Sequence, residues 1–151
     1  MAVIIPFSKF SGLSVEQFVL KDYKYFTWLH PKVQKKDVRE RFDYVDYVVN
    51  NFVSQVNCAL KECNNPARGI SIYNGHDGER VSSLGFIYCS RDCYQKDGAV
   101  EISRSTLVPL RFRSALGAVK GDTNALVEII AKCMGVKEGR KTKEYLEEFF
   151  D

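Results

Sequence analysis

Four of the five cysteines in this 151-residue chain fall in two close pairs, Cys58 and Cys63 in "CALKEC" and Cys89 and Cys93 in "FIYCSRDCYQK". Thiolates are soft metal ligands, and four of them at about 2.3 Å from a tetrahedral zinc make a closed structural site. Two pairs joined by a fold-back of the chain are how one polypeptide delivers four sulfurs to one point. Cys89 is predicted to end a strand and Cys93 to enter the first turn of the next helix, where unpaired N–H groups and the helix dipole favour the thiolate. Zinc held by Cys58, Cys63, Cys89 and Cys93 is therefore expected; the alternatives are buried thiols and disulfide or redox use. His76, in "NGHDGER", is the candidate for a Cys3His set if one cysteine is spare, and a histidine at a hairpin tip facing water is the alternative. Asp77, Glu79 and Arg80 crowd the same loop, as a small recognition site or as a solvated turn. Cys133 lies on an apolar helical face and is assigned to the core.

Other chemistry is missing. The chain has two histidines, His30 and His76, and no Gly-rich phosphate loop, serine elbow or His-Glu-x-x-His run. Asp43 and Asp46 fall on a helix face of alternating charge and read as solvated rather than catalytic. A catalytic zinc would need an open coordination position, so a non-enzymatic role is expected. The net charge of +3 is small for a protein that neutralises many phosphates. Cationic function must then sit in local patches. Arg104, Arg111, Arg113 and Lys120 occur with no acidic residue from Ile102 through Gly121. Lys9, Lys21 and Lys24 stand near Phe10 and Tyr23, a grouping that could join phosphate contacts to base stacking, or an aromatic core with solvated lysines.

The elements that must position these groups follow from the pattern. Ser14 to Gln17 fit a capping box, so a helix starts near Ser14, and Asp22 caps a second one carrying Tyr25, Phe26, Trp28 and Leu29. Val38, Phe42, Val45, Val49, Phe52 and Val56 recur at spacings of four and three, which predicts one long amphipathic helix. "ISIY" and "VSSLGFIY" around "NGHDG" predict a hairpin between the cysteine pairs. A short helix is expected to about Asp97-Gly98, "AVEIS" as a possible strand, and a break at Pro109. Ser114 to Val119 and Asn124 to Met134 read as helical, with Gly135 as a stop. Thr142 caps a last helix whose Leu146, Phe149 and Phe150 need a surface to cover. The fold class is α+β, with helical N- and C-terminal parts around a zinc-stabilised, treble-clef-like β-hairpin. The chain reads as one compact domain, residues 1–151, with sub-regions 1–56, 57–103 and 104–151.

"FIYCSRDCYQK" resembles the Phe/Tyr-Cys-Ser-x-x-Cys element of treble-clef zinc fingers with the "FCS" signature, including the TRASH and MYM-type fingers and, more loosely, HIT and MYND fingers. The likeness spans residues 57–97. It implies a zinc knuckle supplying the first cysteine pair, a hairpin, and a second pair at a helix start. Knuckles of that group usually read Cys-x2-Cys, where this chain has Cys-x4-Cys. Residues 4–29 resemble the exonuclease X C-terminal-like domain through Phe7, Lys9, Phe10, Gly12 and Leu13, then Tyr25, Trp28 and Leu29. Ser8 and Ser11 stand where that pattern has glycine and lysine. This second resemblance implies an accessory role beside nucleases and repair enzymes, with no catalytic residues of its own.

The expected function is that of a zinc-stabilised, nucleic-acid-associated accessory protein, with DNA or RNA as partner. The basic residues expected at phosphates are Lys9, Lys21, Lys24, Arg104, Arg111, Arg113 and Lys120. The alternative is a protein-interaction adaptor with a purely structural zinc, contacting a partner or a second copy through the C-terminal helix. Met1 to Pro6 is too short and lacks the basic flank of a signal peptide, and no run reaches the ~20 apolar residues of a membrane span. The expected setting is intracellular, cytoplasmic or, in a eukaryote, nuclear, with no membrane contact.

Overall fold

The computed structural model describes residues 2–6, 9–73, 83–98 and 104–151. The described elements run α1 (Val15–Lys21), α2 (Tyr23–Leu29), a 3-10 turn (His30–Lys32), α3 (Lys36–Asn50), β1 (Gly69–Tyr73), β2 (Ser83–Tyr88), α4 (Arg91–Lys96), β3 (Ser105–Pro109), α5 (Phe112–Ala118), α6 (Asn124–Met134) and α7 (Lys143–Phe150). Helices and a small antiparallel sheet give the expected α+β class. The chain forms two compact units, Met1–Asn51 with Val136–Asp151, and Phe52–Gly135. No helix among the described residues is long and apolar enough to cross a membrane.

The first unit is a helical cluster on an aromatic core. The capping box forms as its residue types dictate: Gln17 N donates to Ser14 Oγ at 3.2 Å and Ser14 N to Gln17 Oε1 at 3.0 Å. Asp22 accepts from Tyr25 N at 3.0 Å and starts α2 with no intervening loop. Phe18, fully buried, meets Phe10 at 4.6 Å, Phe26 at 5.7 Å and Phe42 at 6.0 Å between ring centroids, while Phe26 and Phe42 stack at 4.6 Å. The amphipathic stripe of α3 is shorter than its spacing predicts. Val38, Phe42, Val45 and Val49 are buried, but the helix ends at Asn50, and Phe52 and Val56 belong to the second unit. Asn50 and Asn51 turn their amides back to the carbonyls of Asp46 and Tyr47, each at 2.8 Å, which satisfies the open C-terminal turn.

Helix α7 completes this unit. Leu146 and Phe150 are buried, Gln17 donates to the Lys141 carbonyl at 3.1 Å, and Tyr44 donates to the Phe150 carbonyl. Beneath it runs a charge chain: the Arg41 guanidinium meets Glu16 at 2.6 Å through Nε and Asp151 at 2.9 Å through Nη1. Glu16 is 0% exposed, so its carboxylate depends on that guanidinium for its charge balance.

In the second unit the sheet order is β2-β1-β3, all antiparallel. The predicted hairpin strands form as expected. The strand after α4 lies at Ser105–Pro109, with its proline at the strand end on a sheet edge, where a missing N–H is tolerated; the sequence reading put a break there, and "AVEIS" falls outside the described residues. Strand β2 carries one extra residue between the Ile70↔Ile87 and Ile72↔Leu84 pairs. The buried Ser71 hydroxyl fills that bulge, accepting from Phe86 N at 2.8 Å and donating to Phe86 O at 3.0 Å. Gly85 is required beside it, since a Cβ there would stand 2.1 Å from Ser71 Oγ. Helices α5 and α6 supply buried Phe112, Ala115, Leu116, Leu126, Ile130 and Cys133, and Gly135 ends α6 at φ 101°.

The buried charge makes the first unit fragile at one atom group. Arg41→Ala is expected to cost about 3–5 kcal/mol, because it strands the Glu16 carboxylate in the core, whereas Asp151→Asn, at the exposed end of the chain of charges, costs below about 1 kcal/mol. Urea unfolding of the two variants reads the difference; equal small losses would mean that Glu16 is solvated.

Candidate metal centre

Residues 57–66 form a tight arc that opens the second unit. Asn57 and Pro66 pair as an isolated bridge, and Cys58 N donates to Asn65 O at 2.8 Å. The arc is pinned to the sheet by Ala59 N donating to Ile87 O at 2.8 Å and, just after it, by Arg68 N donating to Tyr88 O at 2.9 Å. Glu62 has φ +70°, the left-handed region. That one residue turns the longer Cys-x4-Cys arc back on itself and brings Cys63 round to Cys58. The sequence offered no sign of it, since glutamate is an ordinary residue and glycine is the usual choice at such a φ.

The second pair is positioned by the end of β2 and the start of α4. Tyr88 closes the strand, and Ser90 is the N-cap, accepting from Cys93 N at 3.2 Å, so Cys93 sits in the first helical turn. Beneath, Tyr88 and Tyr94 are fully buried and meet edge-on at 5.7 Å. Tyr88 donates to Asp97 at 2.8 Å, and the Tyr94 and Ser105 hydroxyls bond to each other. The two rings form the floor on which the cysteines rest, with Cys58 packed in the same cluster.

All four sulfurs lie within 4.8 Å of one another. Cys89 Sγ is 3.6 Å from both Cys63 Sγ and Cys93 Sγ, and Cys93 Sγ is 4.0 Å from Cys63 Sγ. A tetrahedral ion with sulfurs about 2.3 Å away has S···S edges of about 3.8 Å, so these spacings suit one ion. All five cysteines are free thiols, and Cys133, buried and apart from the cluster, is core as its helical position implies. The four clustered cysteines could hold a metal ion with an all-sulfur, four-ligand set.

The acid–base state of the cluster fits that role. Burial pushes the Cys58 thiol up, against backbone donors at Leu60 and Cys89. Burial also works to raise Cys89, but the hydrogen bonds of Cys93, Cys63, Ser90 and Cys58 outweigh it and bring Cys89 down to about 7. The Ser90 hydroxyl is the largest single influence on Cys93 and favours its thiolate, yet the Cys89 sulfur, burial and the Cys58 and Cys63 sulfurs together outweigh it and drive Cys93 up to about 12. The arrangement gathers negative charge on Cys89 first and resists putting it on Cys93 as well. A cation at the centre would make all four thiolates compatible.

The basic residues singled out by sequence are spread over both units. In the first, Lys9 and Lys21 line one hollow of about 450 Å³ with Asp22, whose carboxylate is committed to capping α2; Lys24 is exposed on α2. In the second, Arg111 lines a hollow of about 250 Å³ at the sheet end together with Arg68, Cys89 and Ser90. Arg68 was not foreseen; only the pairing of Gly69 with Pro109 brings the residues flanking β1 and β3 together. Arg104, Arg113 and Lys120 are exposed and lie outside that hollow. Of the two expectations for the aromatics near these lysines, the core holds for Phe10 and Tyr23: both are buried, and Tyr23 donates to Asp46 at 2.8 Å. His76, Asp77, Glu79 and Arg80 lie outside the described residues. No protein-family model matches the chain, and neither a curated protein nor a solved structure does.

Two outcomes check this centre. Replacing Glu62 by glycine is expected to leave the metal-loaded protein at least as stable, while Glu62→Val, a β-branched residue forced to positive φ, costs about 1–2 kcal/mol in urea unfolding; the reverse order would refute the left-handed turn. Metal binding must strip protons from the thiols that still carry them, Cys93 at about 12 and the raised Cys58 among them, so affinity already falls with decreasing pH across the alkaline range and falls more steeply below the Cys89 value of about 7. Calorimetry at pH 8 in buffers of different ionisation heat is expected to find fewer than four protons released per ion, Cys89 having already lost its own.

Proposed function

We propose that this chain is a zinc-stabilised, non-catalytic accessory protein that associates with nucleic acid. The observation that carries the zinc assignment is the convergence of four sulfurs from two chain segments at tetrahedral spacing. Sulfur-only tetrahedral sets suit zinc or iron, and a metal with no redox chemistry is the natural choice where the site serves to fasten a loop, a strand and a helix. Four protein ligands leave no open position for a reacting water, which supports a structural rather than a catalytic ion. The order of arc, hairpin and helix-borne cysteine supports the treble-clef reading, and reduced thiol ligands suit an intracellular setting.

For nucleic acid, support comes from paired cations in hollows. Lys9 with Lys21, and Arg68 with Arg111, each face a cavity, and none of the four has a carboxylate partner among the described residues. Cations that no acid neutralises are free to meet phosphates, and the planar guanidinium suits a phosphate oxygen pair. The adaptor reading relied on the apolar face of α7, and Leu146 and Phe150 of that face are buried inside the first unit.

Elemental analysis of protein purified without chelator is expected to find about one zinc per chain, and labelled oligonucleotides are expected to bind at low salt with affinity falling linearly in log salt. Arg68→Ala and Arg111→Ala should each flatten that slope by about one. Iron or no metal would overturn the zinc assignment, and the absence of any complex at low salt would overturn the nucleic-acid role.

A further inference from the structure

The chain has a single tryptophan, and it is 55% exposed on α2. Its face is open to solvent in a unit that buries Phe18, Phe26 and Phe42 completely, and what sets it apart is the company it keeps. Its neighbours form a row. Tyr25 lies 5.4 Å from Trp28 between centroids, tilted by 32°, and Phe10 lies 5.5 Å beyond Tyr25. Lys9 Nζ stands over both Phe10 and Tyr25, at 5.0 and 5.1 Å. At the other end Lys32 Nζ stands 4.0 Å over the Trp28 ring and donates to the Trp28 carbonyl at 3.2 Å. The sequence of groups along this surface is cation, ring, ring, cation. Neither lysine has a carboxylate partner among the described residues.

We infer that Tyr25 and Trp28, flanked by Lys9 and Lys32, form a stacking platform for single-stranded nucleic acid, an inference that rests on the nucleic-acid role proposed above. Unpaired bases present flat π faces to aromatic side chains while their phosphates need cations close by, and a row of this composition meets both needs. In a duplex the bases stack on one another, so a solvent-facing ring pair has nothing to insert against. The magnitudes allow the exchange that binding requires. A lysine over an exposed ring contributes about two- to fivefold in an equilibrium constant, whereas stacking one base contributes about 5- to 150-fold. A base can thus displace Lys32 from Trp28, and the freed ammonium remains within reach to engage the adjoining phosphate. A membrane surface would instead favour a contiguous apolar face with lysines only at its rim; here a lysine sits on the ring itself.

Because Trp28 is the one tryptophan, its emission reports on this surface alone. Metal-loaded full-length protein titrated at low salt with oligo-dT, oligo-U and a DNA duplex, with anisotropy of labelled strands in parallel, tests the platform. Single strands are expected to quench Trp28 and the duplex to leave it unchanged; the dT and U arms separate DNA from RNA preference. By anisotropy, Trp28→Ala is expected to weaken single-strand binding about 5- to 150-fold, and Trp28→Phe to restore much of it. Lys9→Ala and Lys32→Ala should each lower the salt slope by about one. Single-strand binding with Trp28 emission unchanged, or with unaltered affinity in Trp28→Ala, overturns the platform and leaves the nucleic-acid role standing. Failure of every strand to bind overturns both, and quenching by anionic phosphatidylserine vesicles but by no oligonucleotide replaces the strand with a lipid surface.

Discussion

Four cysteine sulfurs gathered within 4.8 Å of one another cannot all carry charge side by side unaided, and that constraint dominates the second unit. The apolar floor there consists of Tyr88, Tyr94 and Cys58 with a few half-buried neighbours, too little to hold three chain segments in register by hydrophobic burial alone. A divalent cation bound there would let all four sulfurs ionise and would convert its binding energy into folding energy. The hydrogen bonds around the site are consistent with this division of labour: Ala59 to Ile87, Arg68 to Tyr88 and Ser90 to Cys93 aim the sulfurs, and the ion would supply the adhesion.

The first unit solves the opposite problem with the opposite charges. Beside its aromatic core around Phe18 it buries the Glu16 carboxylate completely and meets it with Arg41. One oxygen of Glu16 and one nitrogen of Arg41 remain without a hydrogen-bond partner. Such a pair adds little net stability over an apolar replacement but discriminates strongly against any packing that separates its members. It therefore specifies how α1 and α3 meet, and, through Asp151, where the chain's last turn lies.

Local signals were the legible ones. Ser14, Asp22 and Thr142 announce their helices because capping depends on residues three positions apart, and Gly135 marks the end of α6 because only glycine takes its φ without strain. The cysteine set was legible for the same reason, as two short spacings. What escaped the sequence depended on distant partners. The apolar repeat of α3 continues through Phe52 and Val56, but the helix ends at Asn50 and Asn51, just before them, and periodicity does not record that. Strand β3 was hidden because Pro109 argues for a break, and only the edge position in the sheet makes it acceptable. Tyr23 and Trp28 have similar hydrophobic character and sit five residues apart, yet one is buried against Asp46 and the other faces solvent, a choice made by the position of α3.

The residues from Val136 onward belong with the first fifty-one, and the sulfur-bearing unit lies between them in the chain. The ribosome therefore releases everything the inner unit needs while the outer one still lacks α7, the Lys141 carbonyl and Asp151. Until then Glu16 and Arg41 form an incomplete network and the seat of Leu146 stays open. The segment Phe52–Gly135 can therefore close before Val136–Asp151 joins the first fifty-one residues, so the order of assembly runs from the middle of these residues outward.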